Sequence, residues 1–425
     1  MCHIERCYDG CHMRKNLQLP FDATRAEKIV EEYGSPVYIY NEPGIRLAAQ
    51  TLLKAFSWAS GYKNYFAVKA TPTPAILAIL KKEGMGFDCS SRSELLMVQK
   101  MGISGEDIFY TSNNTPKEDF ELAIQMGATI NIDDLAQLPV FISTLNGKKL
   151  ERVAGRYNPG DLKSGNTIIG EPTEAKYGMS IENLVKMFKQ LKQKNIKSFG
   201  LHTMVASNEL NTNYFADTAD LLLDAVDHIE KAAGVTFNFI NLGGGFGLNY
   251  RVDQEKFDVA TAAQEIKKVF DKHGKKLTIY TENGRYVTGA HGYLLTRVRY
   301  VMDKYKTYVG VDASMHNLMR PGMYGAYHHI TVLGKEQAEH KYMYDVVGAL
   351  CENNDKFAID RELPNIEAGD LLVVHDTGAH GHAMGFNYNG LLRSAELLLN
   401  SDGKTELIRS AETTEDYFRH LVWPA

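Results

Sequence analysis

Residues 63–69 read KNYFAVK, a short and mostly apolar run that ends in a lysine, and residues 74–82 follow with apolar side chains at helical spacing. The same alternation of a β-prone run and a helical segment continues to about residue 290. We predict eight strands, at 63–69, 85–91, 108–113, 128–134, 152–159, 198–204, 237–245 and 277–284. Eight strand–helix units in about 230 residues are typical of a (β/α)8 TIM barrel. An open doubly wound sheet alternates in the same way, but the absence of a glycine-rich turn after the first strand disfavours it.

The pattern changes after residue 290, where strands are predicted with few helical segments between them. These strands lie at 292–301, 306–311, 328–333, 342–350, 370–376 and 393–399. Residues 36–40 (PVYIY) form a further candidate strand before the first barrel helix. The predicted fold class is therefore α/β plus all-β. It comprises a tail at 1–20, a barrel at 46–290, and a β-rich domain, sandwich-like or barrel-like, made of 21–45 and 291–425.

Composition and charge narrow the class of protein. The chain has 425 residues, a formal net charge of −5 and 44% hydrophobic residues, which is ordinary for a globular protein. No apolar stretch approaches the roughly 18–20 residues that cross a bilayer, and the N-terminus lacks the apolar segment of a secretory signal. The absence of a lysine- and arginine-rich block argues against nucleic acid binding. We therefore expect a cytoplasmic enzyme that acts on a small molecule.

The cysteines predict neither disulfides nor a metal centre. The chain has five, an odd number that does not suit a disulfide framework. Three of them, Cys2, Cys7 and Cys11, lie near His3 and His12 in the N-terminal tail. Their spacing fits no standard zinc pattern, so we expect no metal site.

Polar and charged residues collect where the predicted barrel strands end, which is where barrels of this type carry their chemistry. Lys69 ends the first strand and Glu282 the last. Residues 243–245 are three glycines whose backbone N–H groups can approach an anion, and Ser207 and Arg285 can add a hydroxyl and a charge. A lysine, a carboxylate and a phosphate cradle at one barrel mouth suit pyridoxal 5'-phosphate.

Each of these residues also has a purely structural interpretation. Lys69 could be a buried lysine paired with Asp88, and three glycines can serve a turn. Arg285 could support a surface loop, and His202 could be a satisfied strand histidine. On the barrel pattern alone, these alternatives stay open.

Six motifs add a resemblance to a known family. They are YFAVKA at 65–70, NLGGGFG at 241–247, ENGR at 282–285, RPGMYGAYHH at 320–329, GALCENND at 348–355 and GFNYN at 385–389. Together they resemble the barrel-type, fold type III pyridoxal-phosphate decarboxylases, and among these the diaminopimelate decarboxylases. The resemblance extends from about residue 20 to residue 410, and the motifs occur in the family's order.

The resemblance implies a role for each matching residue. Lys69 matches the lysine that binds the coenzyme as a Schiff base, and Cys351 matches the proton donor; these are the expected catalytic residues. The other expected coenzyme contacts are His202, Met204, Ser207, Gly243, Gly244, Gly245, Glu282, Asn283, Gly284, Arg285 and His380. The expected substrate contacts are Arg285, Arg320, Tyr324, Glu352 and His380. In the family, the residues matching Cys351 and Glu352 reach the partner's site, which implies a homodimer with shared active sites.

Three positions depart from the family pattern. Met204 replaces the second histidine of the family's H-x-H-I-G-S, so a thioether stands where an imidazole stacks on the coenzyme ring. Asn283 replaces the proline of E-P-G-R. His380 replaces the tyrosine of G-A-Y and can donate a hydrogen bond in its place.

The resemblance implies decarboxylation of meso-2,6-diaminopimelate to L-lysine and carbon dioxide, the last step of lysine biosynthesis. The alternatives are a related decarboxylase acting on ornithine, arginine or a carboxylated polyamine, and a non-catalytic, decarboxylase-like regulator. An amino-acid racemase is disfavoured because Glu282 stands where racemases place an arginine. Arg320 can bind a distal carboxylate, which diaminopimelate has and ornithine-type substrates lack, so its presence favours diaminopimelate as the substrate.

Overall fold

The computed structural model describes residues 17–165, 168 and 170–424. The cysteine- and histidine-containing tail that includes Cys2, Cys7 and Cys11 lies outside these residues. The chain divides into two compact units. The barrel unit consists of Glu42–Phe246 and Val259–Gly289, and the β-rich unit consists of the residues up to Asn41, Gly247–Asp258 and the residues from Ala290 onward.

The segment 247–258 lies in the β-rich unit although the sequence pattern assigned it to the barrel, and residues 42–45, assigned to the β-rich domain, instead begin a helix of the barrel unit. The segment 247–258 forms no helix and no strand. The centre of the Tyr250 ring lies 5.2 Å from that of the His328 ring and 4.6 Å from the guanidinium carbon of Arg320. Both partners belong to the β-rich unit. These aromatic and cation–π contacts explain why the segment belongs to that unit.

The chain begins, in the β-rich unit, with α1 (Ala23–Tyr33) and β1 (Val37–Asn41). Eight parallel strands then close into the predicted barrel: β2 (Lys63–Ala67), β3 (Gly86–Cys89), β4 (Ile108–Ser112), β5 (Thr129–Ile132), β6 (Leu150–Tyr157), β7 (Ile196–Thr203), β8 (Phe237–Asn241) and β9 (Thr278–Thr281). The barrel closes where Lys63 of β2 pairs with Tyr280 of β9. The eight-stranded barrel is thus confirmed, although each strand ends earlier than the sequence suggested.

Helices follow the strands as the periodicity predicts. They are α2 (Glu42–Ala55), α3 (Pro74–Lys82), α4 (Arg92–Lys100), α5 (Lys117–Gln125), α6 (Leu138–Leu145), α7 (Ile181–Leu191), α8 (Thr212–Ala233), α9 (Val259–His273) and the short α10 (Arg285–Thr288). Local chemistry sets their ends: the side chain of Ser91 accepts the Glu94 N–H at the start of α4, and Gly234 ends α8 with a left-handed backbone (φ 67°).

The barrel interior is filled by a layer of side chains from alternate strands. Tyr65, Phe109, Ala154 and Phe239 come from β2, β4, β6 and β8 and form one buried cluster. A Cβ added at Gly200 of β7 would overlap the ring of Phe239, so only glycine leaves room for that ring. The layer is the arrangement expected of a packed TIM-barrel core, and it leaves the strand ends available for a site.

The β-rich unit is a mixed sheet that incorporates β1. Its other strands are β10 (Gly292–Asp303), β11 (Thr307–Val311), β12 (Ile330–Val332), β13 (Tyr342–Val347), β14 (Lys356–Leu363), β15 (Leu371–Val374), β16 (Ala395–Leu399) and β17 (Thr405–Arg409). The order is β14-β13-β11-β10-β1-β16-β17, with β15 paired to β10 and β12 to β15. The short helices α11 (Arg320–Tyr324) and α12 (Thr414–Phe418) lie between and after these strands. The separate β-rich domain is confirmed.

No described helix is long and apolar enough to cross a membrane. Within the described ranges, no three histidine, cysteine, aspartate or glutamate side chains are grouped so as to hold a metal ion.

Candidate active site

Lys69 lies just beyond β2, in a 3-10 turn formed by Val68–Ala70. The sequence pattern had placed it at the end of the strand itself. The turn places Lys69 Nζ 3.0 Å from Oδ2 of Asp88, which belongs to the neighbouring strand β3. The Asp88 carboxylate is buried, whereas the Lys69 side chain is 53% exposed. The lysine is therefore anchored at its tip and open along its length, as a group that reacts with a small molecule must be.

The ENGR turn packs directly against this lysine. A Cβ added at Gly284 would lie 2.7 Å from Ala70 Cβ and 3.2 Å from Ala67 Cβ, the two residues that flank Val68-Lys69. Any larger residue would separate the turn that carries Glu282 from the turn that carries Lys69. Gly284 thus contributes close packing between the two turns, and its expected coenzyme contact stays a prediction.

Three ionisable groups of the barrel unit interact: Lys69, Asp88 and Glu282. Partial desolvation at the strand end tends to lower the pKa of Lys69, but the charges of Asp88 and Glu282 outweigh this effect and raise the pKa. Burial and the negative charge of Glu282 raise the pKa of Asp88 to about 7. Asp88 can therefore gain or lose a proton near neutral pH while it lies in hydrogen-bond contact with the lysine.

Glu282 is buried at the carboxyl end of β9 and is held by two side chains. Its Oε2 lies 3.3 Å from His202 Nε2, and its Oε1 accepts a hydrogen bond from Asn241 Nδ2 at 2.7 Å. Burial alone would raise the pKa of Glu282, but His202 together with the charges of Lys69 and Arg156 lowers it below its usual value. The carboxylate is therefore kept ionised inside the barrel.

Asn241 is a site residue that the sequence pattern missed. Besides donating to Glu282, it accepts the Gly243 N–H at 2.9 Å through Oδ1. One buried amide thus connects the carboxylate to the glycine loop. Its position at the end of β8, immediately before Leu242 and the three glycines, was the available signal.

The glycine loop has the close packing expected of a backbone cradle. Gly243 and Gly245 have φ values of 68° and 106°, which L side chains rarely adopt. A Cβ added at Gly243 would overlap the Thr203 carbonyl oxygen. A Cβ at Gly244 would lie 2.6 Å from the Glu282 carbonyl oxygen, and one at Gly245 would lie 2.7 Å from the Ala206 carbonyl oxygen. The Phe246 N–H is held by Asn283 Oδ1 at 3.1 Å, so Asn283 anchors this loop.

Met204 directly follows β7, which ends at Thr203, although the sequence pattern placed it in the strand. Its Sδ accepts the Gly244 N–H at 3.2 Å, whereas His202 points to Glu282. Ser207 lies farther along this segment, and Arg285 Nη2 donates to its Oγ at 3.4 Å. Met204 therefore contacts the glycine loop directly, since its thioether accepts one of the loop's N–H groups.

These barrel residues fit pyridoxal 5'-phosphate. The three glycines form a backbone cradle that side chains would fill, and Ser207 with Arg285 supplies a hydroxyl and a positive charge for a phosphate. Two buried polar atoms, Asp88 Oδ1 and His202 Nδ1, find no hydrogen-bond partner among the described residues. Such atoms are costly to bury unless another polar group meets them, as a bound coenzyme would.

The glycine cradle yields a first prediction. We expect Gly244→Ala to weaken the affinity for pyridoxal phosphate at least about tenfold, because the added Cβ must displace either the loop or the Glu282 backbone. Gly310→Ala is the control, because its Cβ would meet the flexible end of Met302 at 3.3 Å and the Tyr300 backbone oxygen at an ordinary contact distance of 3.7 Å. Titration of the apoprotein with the coenzyme by absorbance measures both. Equal affinities for Gly244→Ala and the control would contradict a phosphate site at this loop.

Apart from Arg285, the residues expected to bind substrate belong to the β-rich unit. Arg320 begins α11 and is only 3% exposed, whereas Tyr324 ends the same helix and is 41% exposed. His380 is partly exposed and adopts a left-handed backbone (φ 56°), which is uncommon for a residue other than glycine. Such a conformation aims a side chain in a direction that ordinary loop geometry does not provide.

Cys351 and Glu352 lie exposed on a loop of the β-rich unit. Asp355 holds this loop, because its carboxylate accepts the Met315 N–H at 2.6 Å and the Leu350 N–H at 2.8 Å. The Cys351 N–H is in turn held by Asn389 Oδ1 at 2.7 Å. The thiol and the carboxylate are thus presented on a braced loop, and Asp355 and Asn389 are supporting residues that the motif comparison did not assign.

Comparisons with known proteins agree with this geometry. Residues 44–289 match the family described as pyridoxal-dependent decarboxylase, pyridoxal binding domain. Protein TabA of Pseudomonas amygdali pv. tabaci is 40% identical over 93% of each chain. The diaminopimelate decarboxylase of Methanothermobacter thermautotrophicus is 34% identical over 94% of each chain.

A solved structure shows the same likeness in three dimensions. The crystal structure of diaminopimelate decarboxylase from M. jannaschii in complex with L-lysine superposes with a TM-score of 0.86 at 29% identity, covering 94% of both chains. Together with the matched domain, the relatives show that the cofactor is pyridoxal phosphate and that the enzyme is diaminopimelate decarboxylase-like. This chain is therefore a member of the pyridoxal-dependent decarboxylase family of enzymes.

Proposed function

We propose that this enzyme decarboxylates meso-2,6-diaminopimelate to L-lysine and carbon dioxide and thereby completes lysine biosynthesis. The observation that carries the proposal is the cluster of Lys69, Asp88 and Glu282 beside the glycine loop. Relatives named diaminopimelate decarboxylase cover nearly the whole chain at 30–34% identity, which supports the choice of substrate. We also propose that the enzyme acts in the cytoplasm.

The barrel residues would hold the coenzyme. Lys69 Nζ would bind the coenzyme covalently, Glu282 would interact with its ring nitrogen, and the glycine loop with Ser207 and Arg285 would hold its phosphate. The bound coenzyme supplies the electron sink that loss of carbon dioxide requires. Asp88, which lies 3.0 Å from Lys69 Nζ, would hold the lysine amine in position at the strand end.

The β-rich residues would recognise the substrate and complete the reaction. Arg320 can bind the distal carboxylate bidentately, with Tyr324 beside it in the same helix, and Glu352 can pair with an ammonium. The Cys351 thiol returns a proton to the carbon that has lost carbon dioxide. Following the family, we propose a homodimer in which Cys351 and Glu352 serve the partner's site.

A second candidate is a decarboxylase for a related amino acid. It is favoured by Met204 and His380, which replace an imidazole and a phenol of the family pattern, and by the 40% identity to TabA, higher than to the decarboxylases cited above. Met204 contacts the glycine loop and His380 changes a hydrogen-bonding group, so both alter residues expected near the reacting amino acid.

A substrate panel tests the proposal. The purified enzyme, saturated with pyridoxal phosphate, is offered meso-diaminopimelate, ornithine, arginine and a carboxylated polyamine, and carbon dioxide and the amine product are measured. We expect carbon dioxide and L-lysine from meso-diaminopimelate with the highest kcat/KM of the four. Preferential turnover of another compound would contradict the assignment, and no carbon dioxide from any of them would favour a regulator.

A further inference from the structure

Arg320 lies in a buried environment built from two aromatic rings of the β-rich unit. Its guanidinium carbon lies 4.6 Å from the centre of the Tyr250 ring, and its Nη1 lies 2.8 Å from Nε2 of His328. Arg320 is 3% exposed and His328 is completely buried. The Tyr250 and His328 rings meet edge to face at 5.2 Å, so the guanidinium stacks on one ring and forms a hydrogen bond with the other.

The hydrogen bonds define the protonation of His328. Its Nδ1 lies 2.8 Å from the backbone oxygen of His375, which can only accept, so Nδ1 carries the proton. Arg320 Nη1 can only donate, so Nε2 must carry a lone pair. The ring is therefore neutral and accepts a hydrogen bond from a guanidinium, without the negative charge that a carboxylate would bring.

The histidine itself is fixed to the sheet. His328 lies two residues before β12, which pairs with β15, and the strand β15 leads directly into His375. The backbone oxygen of His328 accepts a hydrogen bond from Arg361 Nη1 at 3.0 Å. The ring and the backbone of His328 are thus both held by hydrogen bonds. His328 can therefore fix the position of the long Arg320 side chain that donates to it.

We propose that His328 is a positioning residue that orients the Arg320 guanidinium and so sets the preference for ligands with a distal carboxylate. The inference rests on the proposed function, in which Arg320 binds that carboxylate. A planar guanidinium recognises a carboxylate bidentately only when its plane is aligned. A neutral histidine fixes that plane and leaves the positive charge of Arg320 undiminished, whereas an aspartate there would neutralise it.

Two amide variants separate the two hydrogen bonds of the histidine ring. In His328→Asn the side-chain amide can still donate to the His375 carbonyl, but no atom remains where Nε2 accepts from Arg320. In His328→Gln the side-chain oxygen reaches the Nε2 position and can accept from Arg320 again. His329→Asn is the matched control, since its ring packs on His375 at 5.2 Å and it is next in the chain.

The test measures binding of L-lysine and of cadaverine, which differ by the carboxylate, to the holoenzymes by their visible absorption. We expect His328→Asn to weaken L-lysine binding roughly tenfold, the effect of one charged hydrogen bond, with less than a twofold change for cadaverine. His328→Gln should recover part of the loss, and His329→Asn should match the wild type. Equal losses for both ligands, or equal behaviour of the Asn and Gln variants, would overturn the proposal.

Crystal structures of the variants give a readout that does not depend on the substrate. We expect the Arg320 guanidinium to rotate or occupy several positions in His328→Asn and to return to its original plane in His328→Gln. An unchanged Arg320 in His328→Asn would overturn the inference. Failure of the wild-type enzyme to decarboxylate meso-diaminopimelate would instead contradict the proposed function, and the crystal structures would still decide whether His328 orients Arg320.

Discussion

Replacement of Lys69 by alanine is expected to lower kcat at least about a thousandfold, because the amine proposed to bind and exchange the coenzyme is lost. The variant should also lose its visible coenzyme absorption on gel filtration, since no covalent bond retains the coenzyme. Both properties are measured on the same protein, by product formation under saturating substrate and by the absorbance of the eluted peak.

Lys63→Ala is the matched control for this substitution. Lys63 begins the same strand at the opposite end of the barrel and pairs with Asp107 there, 2.7 Å away. It should retain its activity and its coenzyme. Activity of Lys69→Ala within tenfold of that control would contradict the role of Lys69.

Replacement of Glu282 by glutamine should lower kcat about a hundredfold, comparable with the loss of one preorganised electrostatic group in an active site. Glutamine keeps the size of the side chain and can still meet Asn241 and His202. It cannot supply the negative charge that His202, Lys69 and Arg156 preserve by lowering the pKa of Glu282 against the effect of burial. The loss should therefore fall on kcat, with a smaller effect on coenzyme affinity.

The kcat of Glu282→Gln is compared with that of Glu106→Gln. Glu106 is an exposed carboxylate that pairs with Arg152 at 3.0 Å, in the turn that leads into β4. The control should match the wild type. A kcat for Glu282→Gln within threefold of the control would show that the carboxylate charge does not assist the reaction.

The barrel was predictable because its signal is local. Each strand is a short apolar run and each helix a separate periodic segment, so the order of elements can be read along the chain. Lys69 and Glu282 could be chosen as candidate site residues for the same reason, since polar residues that directly follow apolar runs stand out. The local backbone structure around these residues could not be predicted. Lys69, for example, lies in a 3-10 turn because β2 ends at Ala67.

The missed features depend on contacts that are distant in sequence. Asn241 reaches Glu282 only because β8 and β9 pair with Asn241 opposite Tyr280, a register that local periodicity does not contain. Strand β14 was missed because Asp360, with a φ of 46°, and the charges beside it interrupt the alternation. The edge strand β17 escaped for a similar reason, since its residues are mostly exposed or half-buried.

The covalent attachment of the coenzyme to Lys69 is tested most directly by reducing the holoenzyme with borohydride and mapping the modified peptide by mass spectrometry. Reduction converts the link into a stable amine, so the site survives digestion. We expect the pyridoxyl-phosphate mass on the peptide that contains YFAVKA, at Lys69, and on no other lysine. A coenzyme mass on a different lysine, or none after reduction of coenzyme-saturated protein, would contradict the assignment.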